Sequence, residues 1–184
     1  MSRQNDPHGN DGDDHVDALR RQWALVRPGI DTTPMGVLGR INRVALLSGG
    51  PIARLMARHG LERGEFDVLA ALRRTGAPHE LSPTALYRGL MLSSGGLTNR
   101  LKRLAQKGLV GRRPDPEDRR RDLVRLTEAG RAAVDAAFEA DMALEADLIS
   151  VLDGRSLGEL EGLLRDLCRA LEERESPAGS DPAR

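Results

Sequence analysis

Apolar positions recur at helical spacing along most of the chain. Val16, Leu19, Trp23 and Val26 lie three and four apart, predicting an amphipathic helix that Pro28-Gly29 closes. A second helix is expected to begin after Thr33-Pro34, with Leu38, Ile41 and Ala45 on one face. Gly49-Gly50-Pro51 predicts a kink or a break in it, because proline lacks an N–H and clashes with the preceding turn. It then resumes through Ile52, Leu55 and Met56 to Gly60. A third helix is predicted from Arg63 to Arg74, stopped by Thr75-Gly76-Ala77-Pro78.

Ser82-Pro83 is a start signal, a capping hydroxyl followed by proline at the first helical position, and opens a short helix to Leu90. Ser93-Ser94 is expected to cap the next, in which Leu97, Leu101 and Leu104 share a face and Gly108 ends the run. Two helices joined so tightly form a helix-turn-helix. The pattern then changes. Val110 to Arg113 and Asp122 to Leu126 are extended, and Pro114-Asp115-Pro116-Glu117-Asp118 between them is turn chemistry, so a β-hairpin wing follows the helix-turn-helix.

Thr127 caps a long helix carrying Val134, Phe138, Met142 and Ile149. In the last helix Leu157, Leu160, Leu164, Leu167 and Leu171 alternate three and four apart, a seam that asks for a helical partner. The fold class is therefore mainly α with a small β-wing, a winged helix-turn-helix with N- and C-terminal helical dimerisation regions. The expected segments are a disordered acidic tail (1–13), N-terminal helices including an extra first one (14–60), the DNA-binding lobe (61–127), C-terminal dimerisation helices (128–174) and a disordered tail (175–184).

Composition narrows the class. Of 184 residues 39% are hydrophobic and only Trp23, Phe66, Tyr87 and Phe138 are aromatic, so the core is built from Leu, Val and Ala. Cys168, the single cysteine, excludes an internal disulfide and fits a reducing, cytoplasmic setting. No apolar run reaches the length of a membrane span, and the first 15 residues lack the apolar stretch of a secretory leader. The 28 basic and 28 acidic residues cancel, yet they are segregated. Residues 100–125 hold ten Lys and Arg against four acids, whereas 131–184 hold six Arg against thirteen. A basic block inside an acidic chain implies phosphate contact at one place.

The helix from Ser93 to Lys107 faces inward with its leucines and is expected to face outward with Ser94, Thr98, Asn99, Lys102, Arg103 and Gln106. These are donors suited to base edges and phosphates. Ser93 and Ser94 would leave free amides at its start for a phosphate. Arg113, Asp118, Arg119, Arg120 and Arg121 complete the expected DNA-binding set, the three arginines reaching a minor groove or flanking phosphates while Asp118 holds one guanidinium.

Residues 82–130, above all Asp115-Pro-Glu-Asp-Arg-Arg-Arg followed by Leu126-Thr127-Glu-Ala-Gly130, resemble the MarR family of bacterial winged-helix regulators. The similarity covers 35–173. It implies a homodimer placing two recognition helices on a palindromic double-stranded operator, and repression or activation relieved by a small molecule near the DNA-binding lobe. Gly49-Gly50-Pro51 departs from a helix that the family keeps continuous.

Four further residues resemble the urate-responsive, PecS- and HucR-like branch: Trp23 in the extra first helix, Asp67 before the helix-turn-helix, Arg100 in the recognition helix and Arg112 before the wing. This implies an effector site for urate or a related purine. Two guanidinium forks clamp a flat oxyanion, an indole packs on it, and Asp67 is repelled by it. Each residue also has a plainer reading. Trp23 lies on an apolar stripe as core, Asp67 pairs with Arg63 or Arg74, and Arg100 and Arg112 meet phosphate.

Other classes fare worse. His8, His15, His59 and His79 are scattered, no Cys/His cluster has metal spacing, and no glycine-rich loop carries a phosphate-binding lysine, so neither an enzyme nor a cofactor or metal is expected. The alternatives are a relative responding to a phenolic or aromatic acid, one responding to oxidation at Cys168 (by default a buried thiol), and a winged module that binds protein or coats DNA without specificity.

Overall fold

The computed structural model describes residues 12–90, 96–116 and 122–175. The chain is mainly helical with one small antiparallel sheet. α1 (His15–Val26) starts at a capping box in which the Asp14 carboxylate accepts from the amides of Val16 and Asp17. α2 (Thr33–Arg58) lies against it: a Cβ at Gly39 would stand 3.3 Å from Val16 Cγ1. Arg40 reaches back to α1, donating to Asp14 at 2.8 Å and to Asp17 at 2.6 Å.

The expected break at Gly49-Gly50-Pro51 is not found, because α2 is a single helix of 26 residues with Pro51 inside it. Both of its ends are anchored, the first on α1 and the second through Leu55 and Met56 in the core. Continuing through proline loses one backbone hydrogen bond, whereas a break would require nucleating a second helix.

α3 (Arg63–Arg74) is the central helix, with Val68, Leu69 and Leu72 fully buried. β1 (Glu80–Leu81) follows, a two-residue strand that the sequence reading lacked, and then α4 (Pro83–Gly89), where Ser82 Oγ accepts from the Ala85 amide. α5 (Leu97–Gln106) starts later than expected. Its N-cap is Gly96 at φ 95°, a left-handed conformation that glycine adopts freely and that cannot belong to the helix. Ser93 and Ser94, the expected caps, lie outside the described residues.

β2 (Val110–Pro114) and β3 (Asp122–Leu126) form the wing hairpin, and the sheet order is β1-β3-β2. Arg112 pairs with Val124, and Leu81 pairs with Val124 from the other side. α6 (Glu128–Ile149) is capped by Thr127, whose Oγ1 accepts from the Gly130 amide at 2.9 Å. Met56, Leu69, Leu72, Leu86, Leu104, Val124 and Val134 close the core between helices and sheet. α7 (Gly154–Glu175) has no buried side chain among the described residues, and the leucine seam is open along it. No described helix is long and apolar enough to cross a membrane.

Gly130 explains part of the motif after the wing. A Cβ there would sit 1.9 Å from the Leu109 carbonyl oxygen, so the first turn of α6 rests directly on the chain entering β2. Gly130→Ala is expected to destabilise the protein by about 2–3 kcal/mol through overpacking. A lower urea midpoint with an unchanged m-value checks this.

Candidate functional site

What orients α5 is a buried carboxylate on α3. Glu65 is fully buried, and each of its oxygens is used. Oε1 accepts from Arg103 Nε at 2.9 Å, and Oε2 accepts from Lys107 Nζ at 2.6 Å and from the Glu62 amide at 2.9 Å. Burial alone would push this carboxyl up. The hydrogen bonds from Lys107, the Glu62 amide and Arg103 outweigh burial and hold it below the usual carboxylate range. Arg103 also donates to Glu62 at 2.6 Å, and Lys107 to the Gly60 carbonyl at 2.8 Å.

Arg103, expected to face outward, is 41% exposed and spends its Nε and Nη2 on these two carboxylates. Its carboxylate partners lie 38 and 41 positions earlier in the chain, where helical periodicity does not reach. The exposed face of α5 is Thr98, Asn99, Lys102 and Gln106. Arg113 is likewise committed, its guanidinium gripping both oxygens of Glu80, of which Nε lies 2.9 Å from each. The Arg113 side chain holds the Glu80 carboxyl below its ordinary range, and Glu80 raises Arg113 in turn. Asp118, Arg119, Arg120 and Arg121 lie outside the described residues.

The four residues of the expected effector site fall into three places. Asp67, on α3, is mostly covered and accepts from Arg63 Nε at 3.3 Å. The Arg100 side chain lies across Gly64, where a Cβ would come within 2.4 Å of its Nε, and its charge acts on Asp67 together with that of Arg74. Burial pushes the Asp67 carboxyl up despite Arg63 and Arg100. Asp67 and Arg100 are thus neighbours. Trp23 is 52% exposed rather than core, and lines a cleft with Arg27, Ile30 and Met35. Arg112 borders a different cleft with Ser82, Thr84, Arg88 and Asp122, its nearest carboxylate oxygen 3.8 Å away on Asp122.

Sequence reasoning missed Glu65 and also Asp141, a 2%-exposed acid on α6 whose Oδ2 lies 3.8 Å from Arg63 Nη1. Both left a trace. Glu65 stands at the capping-box distance from Glu62, and Asp141 falls seven positions after Val134 on the same buried stripe. Cys168, expected to be buried, is exposed, because among the described residues no neighbouring element covers that side of α7.

The Glu65 cluster sets a pH dependence. Because its folded pKa is depressed, its stabilisation is present above the unfolded carboxylate range and is lost as pH falls through that range and below it. Glu65→Gln is expected to cost about 1–3 kcal/mol at neutral pH. The deficit relative to the parent protein narrows toward pH 4 and below, which urea unfolding at several pH values measures.

A MarR family model matches residues 59–121. The chain is 36% identical over 149 residues to the HTH-type transcriptional regulator PecS of Dickeya dadantii, covering 81% of this chain and 90% of that protein. A MarR family transcriptional regulator from Streptomyces coelicolor superposes with TM-score 0.65 at 27% identity, over 78% of this chain and 98% of its own. MarR from E. coli complexed with operator DNA superposes with TM-score 0.62 at 27% identity, over 79% and 96%. The helix-turn-helix, the wing and these relatives agree: the chain belongs to the MarR family and is a DNA-binding transcriptional regulator, not an enzyme.

Proposed function

We propose that the chain is a homodimeric repressor that binds a palindromic operator and releases it when urate or a related purine binds beside the recognition helix. The exposed donor face of α5, held by Glu65, carries the DNA half of this reading. Thr98 and Asn99 would meet base edges in the major groove, Lys102 a phosphate, and Arg119, Arg120 and Arg121 the flanking backbone or minor groove. A second copy of the chain supplies the two-fold symmetry that a palindrome requires. Its contact surface is the unpartnered apolar face formed by Val37, Ile41 and Val44 on α2, Phe138 on α6, and Leu160, Leu163 and Leu171 on α7, all exposed in the single chain.

For the effector, the neighbouring pair Asp67 and Arg100 supports the reading, because Arg100 sits on the recognition helix itself. A flat oxyanion taking the Arg100 guanidinium would draw it away from Gly64 and Asp67 and tilt the start of α5. Ligand and operator then weaken each other by the same factor. Trp23 and Arg112 belong to this reading by sequence resemblance, since in the single chain each borders its own cleft.

Lys102→Ala is expected to weaken operator binding across sequences and to lower the slope of log affinity against log salt by about one, as one phosphate contact is lost. Arg120→Ala should do the same at the wing, and gel-shift titration at several salt concentrations reads both. Urate is expected to raise the melting temperature of the free protein and to release it from the operator. A shift with phenolic acids but not with purines would point to an aromatic-acid sensor, and equal protection of all DNA in footprinting would point to a non-specific coating protein.

A further inference from the structure

The carboxylates around Arg63 have more acceptor capacity than the donors facing them use. Asp141 on α6 is almost wholly buried, and its Oδ1 meets no hydrogen-bond donor among the described residues, while Oδ2 stands 3.8 Å from Arg63 Nη1. Asp67 on α3 repeats the arrangement: Oδ1 accepts from Arg63 Nε at 3.3 Å, and the buried Oδ2 meets no donor among the described residues. Glu145, one turn beyond Asp141, is a third carboxyl in the field of Asp141 and Arg63. The positive charge facing these acids comes from Arg63, with Arg100 and Arg74 acting on Asp67. Buried carboxylate oxygens left without donors are costly. Two of them on two different helices, each on a carboxylate whose other oxygen faces the same guanidinium, mark a place that lacks N–H groups rather than acceptors.

We infer that Arg63, Asp67 and Asp141 form the interior of the effector site, Arg63 gripping the anionic edge of the ligand while the free oxygens of Asp67 and Asp141 accept hydrogen bonds from its ring N–H groups. This rests on the effector reading above and adds Arg63 and Asp141 to it, with the requirement that the flat anion carry N–H donors. The urate monoanion meets both requirements, with carbonyl oxygens and ring N–H groups in one plane. Benzoate has the charge and the plane but no donor. Arg63 stands on the solvent side of Asp67 and Asp141: it is 42% exposed and lies over Phe66 with its Cζ 5.8 Å from the ring centroid. Because Asp141 belongs to α6 and Arg100 to α5, a ligand held between them touches the helix that reads DNA and a helix that carries part of the proposed dimer face.

Equilibrium dialysis of the full chain against urate and against benzoate tests this, comparing the parent with Asp141→Asn, which keeps the shape and removes the charge. The expected result is urate affinity lower by about tenfold, as a charge-assisted acceptor becomes a neutral one. Benzoate affinity should stay the same or rise, because a repelling charge has gone. Urate bound equally well or more tightly by Asp141→Asn overturns the inference, since a carboxylate that only repels the anion gives that sign for both ligands. Arg63→Lys, which keeps the charge and removes the fork, is the second variant, and undiminished urate affinity there counts against the inference in the same way. Melting curves without ligand confirm that each variant is folded. A parent protein that retains no urate is a separate result, and it removes the effector reading and this inference together.

Discussion

A recognition helix of ten residues is too short to be stable alone, so its existence and its angle both depend on what it is tied to. Here the tie is ionic and buried. Removing the Glu65 carboxylate from water costs several kcal/mol, and the arrangement persists because Lys107, the Glu62 amide and Arg103 satisfy its oxygens. An apolar contact in the same place would hold α5 near α3 but tolerate sliding and rotation. A carboxylate that loses its donors does not tolerate them, because a small displacement exposes the full desolvation penalty. Glu65 thus fixes the direction in which Thr98, Asn99 and Lys102 point.

The two ends of α5 are held differently. Arg103 and Lys107 lie in its last turn and at its C-cap, on a closed set of short hydrogen bonds. Arg100, one turn earlier and about 4.5 Å along the axis, lies over Gly64 with Asp67 within the range of its charge. The C-terminal end is tied to a buried carboxylate, and Thr98 and Asn99 lie in the half farther from that tie. On the proposed reading, a ligand that competes for Arg100 would act in that half of the helix, beside the residues proposed to meet the bases. The absence of a Cβ at Gly64 makes this possible, since any other residue would occupy the space of the Arg100 guanidinium.

Periodicity and caps made most of the fold legible. Thr127 and Ser82 cap the helices that their positions announced, α3 spans Arg63–Arg74 as expected, and both wing strands lie where alternation ended. The failures share a cause. β1 is two residues long, below any pattern length, and exists only because β3 offers an edge. α2 continues through Pro51 because distant packing anchors both ends. Arg103 and Arg113 pair with Glu65 and Glu80, partners more than thirty positions away, which periodicity and local charge do not register. Trp23 showed the converse: its apolar stripe was visible, yet the residue is 52% exposed in the single chain.

The uncovered apolar surface bears on how two effector sites would communicate in the proposed homodimer. Asp141 points into the cluster around Arg63, while Phe138 and Met142, on neighbouring turns of the same helix, are exposed and apolar. A rigid helix cannot shift its inner face without shifting its outer one. Any change in how Arg63 engages Asp141 is therefore carried to the face on which a second copy would rest. In an isologous dimer that face meets its own counterpart, so the shift is delivered to the equivalent helix and from there to the other Arg63. On the proposed reading, cooperativity between two effector sites, and between effector and operator, would require no dedicated relay, only that α6 be shared by the acid cluster and the proposed interface.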